Sequence, residues 1–188
     1  MQKTKLIYGF LFILLTATAQ SQPIYSSVKG EASFFSEAPI ENIDAHSKQL
    51  SSFINTATND IAFAVPISSF HFKKALMEEH FNEKYIESDK FPSATYKGKI
   101  NEKIDFTKDG TYRITSTGKF TIHGVEKLRT DSAVLVIKAN QLSLTGKFNV
   151  VVKDHNIEIP KLMFQNIAEI IQVSFNTIYN PYKKDEKK

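Results

Sequence analysis

Alternation is the dominant pattern along the chain. From Tyr112 to Ile122, the residues Tyr112, Ile114, Ser116, Gly118, Phe120 and Ile122 fall on one face, and Arg113, Thr115, Thr117, Lys119 and Thr121 on the other. Side chains alternate across a strand, so this segment reads as a strand with one face in water and one against something apolar. The same pattern sets Leu142, Leu144, Gly146, Phe148, Val150 and Val152 against Ser143, Thr145, Lys147, Asn149 and Lys153. It sets Ala94, Tyr96, Gly98 and Ile100 against Thr95, Lys97, Lys99 and Asn101, and Val28, Gly30, Ala32 and Phe34 against Lys29, Glu31 and Ser33. Ile171, Val173 and Phe175 oppose Gln172, Ser174 and Asn176. Phe63, Val65 and Ile67 suggest a further strand, in which Pro66 weakens the ladder or marks an edge. Ala133 to Ile137 is apolar on both faces, which predicts cover on the outside as well.

One segment breaks the alternation. Phe72, Leu76, Phe81 and Tyr85 recur at roughly helical spacing, with Lys73, Lys74, Glu78, Glu79, Asn82 and Glu83 mostly elsewhere. This predicts one short amphipathic helix, ending before Ser88, against a rim or an outer face of the sheet. The rest is all-β. Its connections are too short for crossover helices, so the strands pair antiparallel. About eight strands with one apolar face each are satisfied by a closed barrel or a sandwich. Gly98, Gly118 and Gly146 lie on apolar faces with an aromatic two residues away. They predict either interior room in a tapered barrel or ordinary bulges.

The apolar faces carry most of the aromatic residues, of which the chain has 15 Phe and 7 Tyr but no Trp. Two readings remain open. The aromatics fill a packed core, or they line a cavity for a long apolar molecule. On the second reading the lining is Phe34, Phe63, Val65, Tyr96, Tyr112, Ile114, Phe120, Ile122, Leu144, Phe148, Val150, Val173 and Phe175.

Composition and charge narrow the classes further. At 188 residues with 41% apolar content the chain suffices for one domain with a real core. The formal charge of +4 sits at the ends. Lys3 and Lys5 precede the uncharged run Leu6 to Leu15 and the small residues Ala17-Thr18-Ala19, the pattern of a cleaved export signal over 1–19 and too short to span a bilayer. The tail 183–188 holds four Lys against one Asp and one Glu, and between the two segments 18 charges of each sign remain. A neutral body argues against nucleic-acid binding, and the tail allows at most peripheral membrane contact. Zero Cys rules out disulfides, thiolate metal sites and a cysteine nucleophile, and leaves no acylation site for a lipoprotein anchor. The five His (46, 71, 80, 123 and 155) include no close ligand pair, and they read as surface or turn residues, so no metal is expected. No nucleophile elbow or phosphate loop occurs, and Asp154-His155 reads as turn chemistry. No enzyme activity and no catalytic residue is expected.

Two blocks carry a family resemblance. Gly118-Lys119-Phe120-Thr121-Ile122-His123-Gly124-Val125-Glu126-Lys127 resembles the Gly-x-Leu-Thr-Ile-His-Gly-Val-Thr-Lys signature of the YceI-like family. Leu76 to Pro92, followed by Ala94-Thr95-Tyr96-Lys97-Gly98, is similar to that family's central helix and return strand, in the same order and spacing. One departure is that Lys73 to Met77 stands where many relatives carry an Arg-Asp pair followed by His-Leu. The resemblance implies an extended, lipocalin-like antiparallel β-barrel over 20–182. It implies a bound polyisoprenoid, isoprenoid quinone or other lipid rather than a cofactor, and it makes a homodimer a candidate assembly. With the export signal, it implies a bacterial protein of the periplasm or the exterior. The alternative from a different class is a structural or interaction protein whose barrel is filled by its own aromatics.

Overall fold

The structure is a computed structural model, and it describes residues 24–37, 41–159 and 167–182. The segment 1–19 and the tail 183–188 lie outside the described residues. The described residues form nine strands: β1 (Ile24–Ser36), β2 (Ile43–Asn55), β3 (Asp60–Pro66), β4 (His71–Phe72), β5 (Ser93–Ile100), β6 (Gly110–Ile122), β7 (Val125–Lys138), β8 (Gln141–Val151) and β9 (Ile170–Pro181). Among the described residues there is one α-helix, α1 (Ala75–His80), which runs on into a π-helical turn over Phe81–Tyr85.

Eight of the strands close an antiparallel barrel in the order β1-β9-β8-β7-β6-β5-β3-β2, with β1 pairing back onto β2. Closure leaves the barrel no free outer edge strand, which is how a sheet with one apolar face hides both that face and its edges. The two-residue β4 adds to the start of β2, with Phe72 against Ala45. Two tight turns set the register of the long strands. His123 and Gly124 both have positive φ between β6 and β7, and Ala139 and Asn140 do so between β7 and β8. That is the type I′ geometry whose twist matches a two-residue hairpin.

Four local readings change. Val28 does not face the interior but is 72% exposed, because the register shifts between Ser27 and Gly30 where β1 pairs with β2. Tyr25 and Ser27 point inward before this bulge, and Gly30 and Ala32 after it, so the inward parity switches from odd to even. The outer face of Ala133 to Ile137 is not covered, since Val134 is 36% exposed. The helix is shorter than its apolar spacing suggests, because Phe72 belongs to β4 and the last turn widens to π. Pro66 ends β3 rather than marking an edge, as β3 is paired on both sides.

The interior divides into two halves. One end is packed solid by Tyr25, Ile54, Ile61, Ile100, Ile114, Leu135, Ile137, Leu142, Leu144 and Tyr179. There Tyr179 is fully buried, and its hydroxyl lies 2.7 Å from Ser52 Oγ. Ser52 donates its own proton to the Ala62 carbonyl at 2.8 Å, so Tyr179 donates to Ser52. The other end gathers Phe34, Phe70, Phe72, Phe81, Phe120 and Phe148 around a looser cluster. Phe63, Tyr96 and Phe175 touch both clusters and form the floor between them.

Candidate functional site

Above this floor the barrel holds a cavity of about 520 Å³. That lies in the range of small-molecule pockets. The helix and the residues before it roof its mouth: Phe72, Leu76, Met77, His80, Phe81 and Tyr85 all border it. Phe81 packs on Phe72 and Phe34 with ring centroids 5.0 Å and 5.2 Å apart, and Phe34 reaches Phe70 at 5.3 Å. These aromatic contacts fasten a helix of only six residues, too short to be stable alone. An ion pair between Lys74 Nζ and Glu41 Oε2, 2.7 Å apart, lies at the rim.

The structure brings twelve of the thirteen expected lining residues together around this space. Phe34, Phe63, Val65, Tyr96, Ile114 and Phe120 border it, as do Ile122, Leu144, Phe148, Val150, Val173 and Phe175. Tyr112 does not. It lies on the inward face of β6, but beyond Ile114 and toward the packed end, opposite the buried Leu135. Its hydroxyl donates to the Lys108 carbonyl at 3.0 Å. The aromatic interior is therefore a packed core in one half of the barrel and the wall of a cavity in the other.

The interior glycines work differently from the tapered-room expectation. Gly98 and Gly118 face each other across β5 and β6. A Cβ on Gly98 would sit 2.6 Å from the Tyr96 hydroxyl and 2.7 Å from the Thr117 carbonyl. Gly146 faces Phe175 across β8 and β9, and its Cβ would meet the Phe175 ring at 2.5 Å. These glycines are seats for two floor aromatics, not space for a ligand.

The polar residues of the cavity were missed from sequence. Arg129 and Asp131 project inward from β7, with side chains only 19% and 25% exposed. Arg129 donates from Nε and Nη2 to the two oxygens of Asp131, and from Nη2 to the Asn149 carbonyl at 3.1 Å. Its guanidinium carbon lies 4.4 Å from the centroid of Phe148 and 5.5 Å from that of Phe120, a cation–π arrangement. The position has a structural cause. β7 and β8 pair only from Ala133–Gly146 to Lys138–Gln141, although β7 continues up to Val125 and β8 to Val151. Above that ladder the Arg129 side chain spans the seam to the β8 backbone. Beside the pair, Tyr96 Oη and Ser116 Oγ lie 2.7 Å apart, and burial raises the Tyr96 pKa. One signal could have found the pair: the inward parity of Leu135 and Ile137, carried back through Ala133, reaches Asp131 and Arg129. The charges of Lys127 to Asp131 hid it.

The His-Gly signature turn is a clamp at the rim. His123 Nδ1 lies 3.0 Å from the His155 carbonyl, and Nε2 lies 3.3 Å from Glu87 Oε2. Its ring meets Phe91 at 4.5 Å. The Glu87 carboxyl is held below its usual range by hydrogen bonds from Lys90 and then His123. His155 is not a surface residue: it is buried, its Nδ1 donates to the Val125 carbonyl at 3.1 Å, and burial lowers its pKa. Two histidines thus tie the β6–β7 turn to the loop before β5 and to the 3₁₀ turn after β8. Among the described residues no group of three or more His, Asp or Glu is placed to hold a metal.

Comparison with solved structures gives the same barrel. A polyisoprenoid binding domain from Saccharophagus degradans, implicated in plant cell wall breakdown, superposes with a TM-score of 0.73 at 13% identity, covering 86% of this chain and 100% of its own. Burkholderia cenocepacia BcnA gives 0.67 at 16% identity, over 80% of this chain and 96% of its own. The Campylobacter jejuni YceI protein gives 0.58 at 15% identity, over 98% and 100%. No curated protein matches the sequence. The sequence matches the YceI-like domain over residues 16–179, nearly the full length of the barrel, and the chain belongs to the YceI-like family.

Proposed function

We propose that the protein is an exported, non-catalytic carrier that holds one long apolar molecule in the upper half of its barrel. The ligand class is a polyisoprenoid, an isoprenoid quinone or another long-chain lipid. The observation that carries this reading is the cavity of about 520 Å³, walled almost throughout by aromatic and aliphatic side chains and roofed by a short helix. Such a space gains about 25 cal/mol for each Å² of apolar ligand surface it takes from water. A similarly folded domain is described as polyisoprenoid binding, which favours the same class here. The pattern of residues 1–19 favours export to the periplasm or the exterior. Purification from a native-like bacterial host without detergent, organic extraction and mass spectrometry test the reading. A stoichiometric long-chain lipid is the expected result. Protein that carries no lipid, and that takes up none offered after delipidation, overturns it.

A further inference from the structure

Among the described residues, one polar cluster at the cavity floor has a specific composition. Asp131 faces Ser116 and Arg129 faces Gly118 across β6 and β7, while Tyr96 lies over Gly98 and Gly118 so that its hydroxyl reaches Ser116. An ion pair and two hydroxyls therefore meet deep in a largely apolar well. We propose that Arg129, Asp131, Ser116 and Tyr96 form a head-group subsite for an uncharged, oxygen-bearing group, so that the ligand lies head inward with its hydrocarbon chain toward the helix. The inference rests on the carrier reading above and specifies its ligand.

The chemistry selects this class. Arg129 is already neutralised by two contacts to Asp131, and the other ion pair at the cavity, Lys74 with Glu41, is also balanced. A phosphate or carboxylate on the floor would stand beside the Asp131 carboxylate in a low-dielectric space where Arg129 and Lys74 are already paired, which is unfavourable. A bare hydrocarbon end would also fit poorly. The named contacts of Arg129 use Nε and Nη2 but not Nη1, and the two hydroxyls bond one another while keeping further capacity. Apolar contact there leaves polar groups unpaired. A carbonyl or hydroxyl oxygen accepts from Arg129 and adds no charge.

The test uses delipidated full-length protein and four probes of equal chain length: dodecanamide, 1-dodecanol, dodecane and dodecyl phosphate. Affinities come from competition against a solvatochromic dye, and orientation from NOEs between the 1-dodecanol carbinol protons and the Tyr96 ring. The amide and the alcohol are expected to bind at least tenfold more tightly than dodecane and dodecyl phosphate, with head-to-Tyr96 NOEs. Arg129→Met alone strands the Asp131 charge and can unfold the barrel, so the informative variant is Arg129→Met with Asp131→Leu. Replacing both partners of an ion pair by apolar side chains is commonly tolerated. That double variant is expected to bind dodecane and to lose the preference for the amide. Equal binding of all four probes by the wild type, preference for dodecyl phosphate, an unchanged preference in the double variant, or NOEs from the terminal methyl would each overturn the subsite and leave the carrier reading standing. Failure of every probe to bind, dodecane included, would overturn the carrier reading and the subsite with it.

Discussion

Gly146 stands directly opposite Phe175, and the Phe175 ring occupies the space that a side chain at 146 would take. A Cβ there would lie 2.5 Å from the ring, closer than any real contact. Gly146→Ala is therefore expected to cost about 1–3 kcal/mol through overpacking, although alanine is the better strand residue by propensity. Denaturant unfolding reads the cost. The mechanism is checked by repeating the change in a Phe175→Ala background, where the cost should fall below about 0.5 kcal/mol because the colliding ring is gone. An equal cost in both backgrounds would place the strain in the backbone instead.

Tyr179 and Ser52 join β9 to β2 through the packed end, and burial raises the Tyr179 pKa above the ordinary tyrosine range. A tyrosine whose folded pKa is raised above its unfolded value, about 10, stabilises the fold fully below that value and loses the contribution as pH rises past it. Alkaline unfolding is thus expected to be coupled to ionisation of this residue. Absorbance at 295 nm should show one tyrosine titrating only together with unfolding, and Tyr179→Phe should remove that late step. The variant should lose about 1 kcal/mol at neutral pH, the worth of one hydrogen bond, since Ser52 keeps its bond to the Ala62 carbonyl.

The barrel was legible in the sequence because its signal is local. Alternation at β5, β6, β8 and β9 needs no knowledge of partners, and two glycine-containing blocks added the family. What was not legible depends on where along a strand a residue sits. Tyr112 and Ile114 share one face of β6 and both belong to the packed cluster, yet only Ile114 also borders the cavity, and no property of either residue records that depth. Val28 was misplaced because one bulge inverts parity without leaving a mark in composition. Arg129 and Asp131 were hidden for the opposite reason: their charge speaks for water, and only their mutual pairing and the Phe148 ring make the interior tolerable.

His155 makes an acid-side prediction. Burial lowers its pKa below the ordinary 6.5, so the unfolded chain binds a proton that the folded chain resists. Stability should then decline as pH falls through about 6.5 and continue to decline until the folded-state value is passed. His155→Gln is expected to flatten this limb of the stability–pH curve. It should also lower stability at pH 8, because the Val125 carbonyl loses a well-placed donor. Measuring denaturant midpoints between pH 5 and pH 8 for both proteins decides the matter. Parallel curves would assign the acid response to other groups.

The roof helix should be the part of the barrel that opens first. It has six α-helical residues, no side-chain hydrogen bond at its N-cap and no buried residue, and its attachment runs through Phe81 against Phe34 and Phe72. Elements with few buried contacts open locally at low free energy while the rest of the fold stays closed. Phe81→Ala removes the central ring of that attachment. Because the ring is only partly buried, the expected cost is about 1–2 kcal/mol rather than the 3–5 kcal/mol of a core phenylalanine. That loss should fall on local opening. Amide exchange over residues 75–86 should accelerate roughly 5- to 30-fold, with protection in β7 and β8 unchanged. A bound dodecanol should leave faster by a similar factor if the helix gates the mouth. Faster exchange without faster release would mean that the ligand passes elsewhere, and the β7–β8 seam spanned by Arg129 is where the barrel wall offers that route.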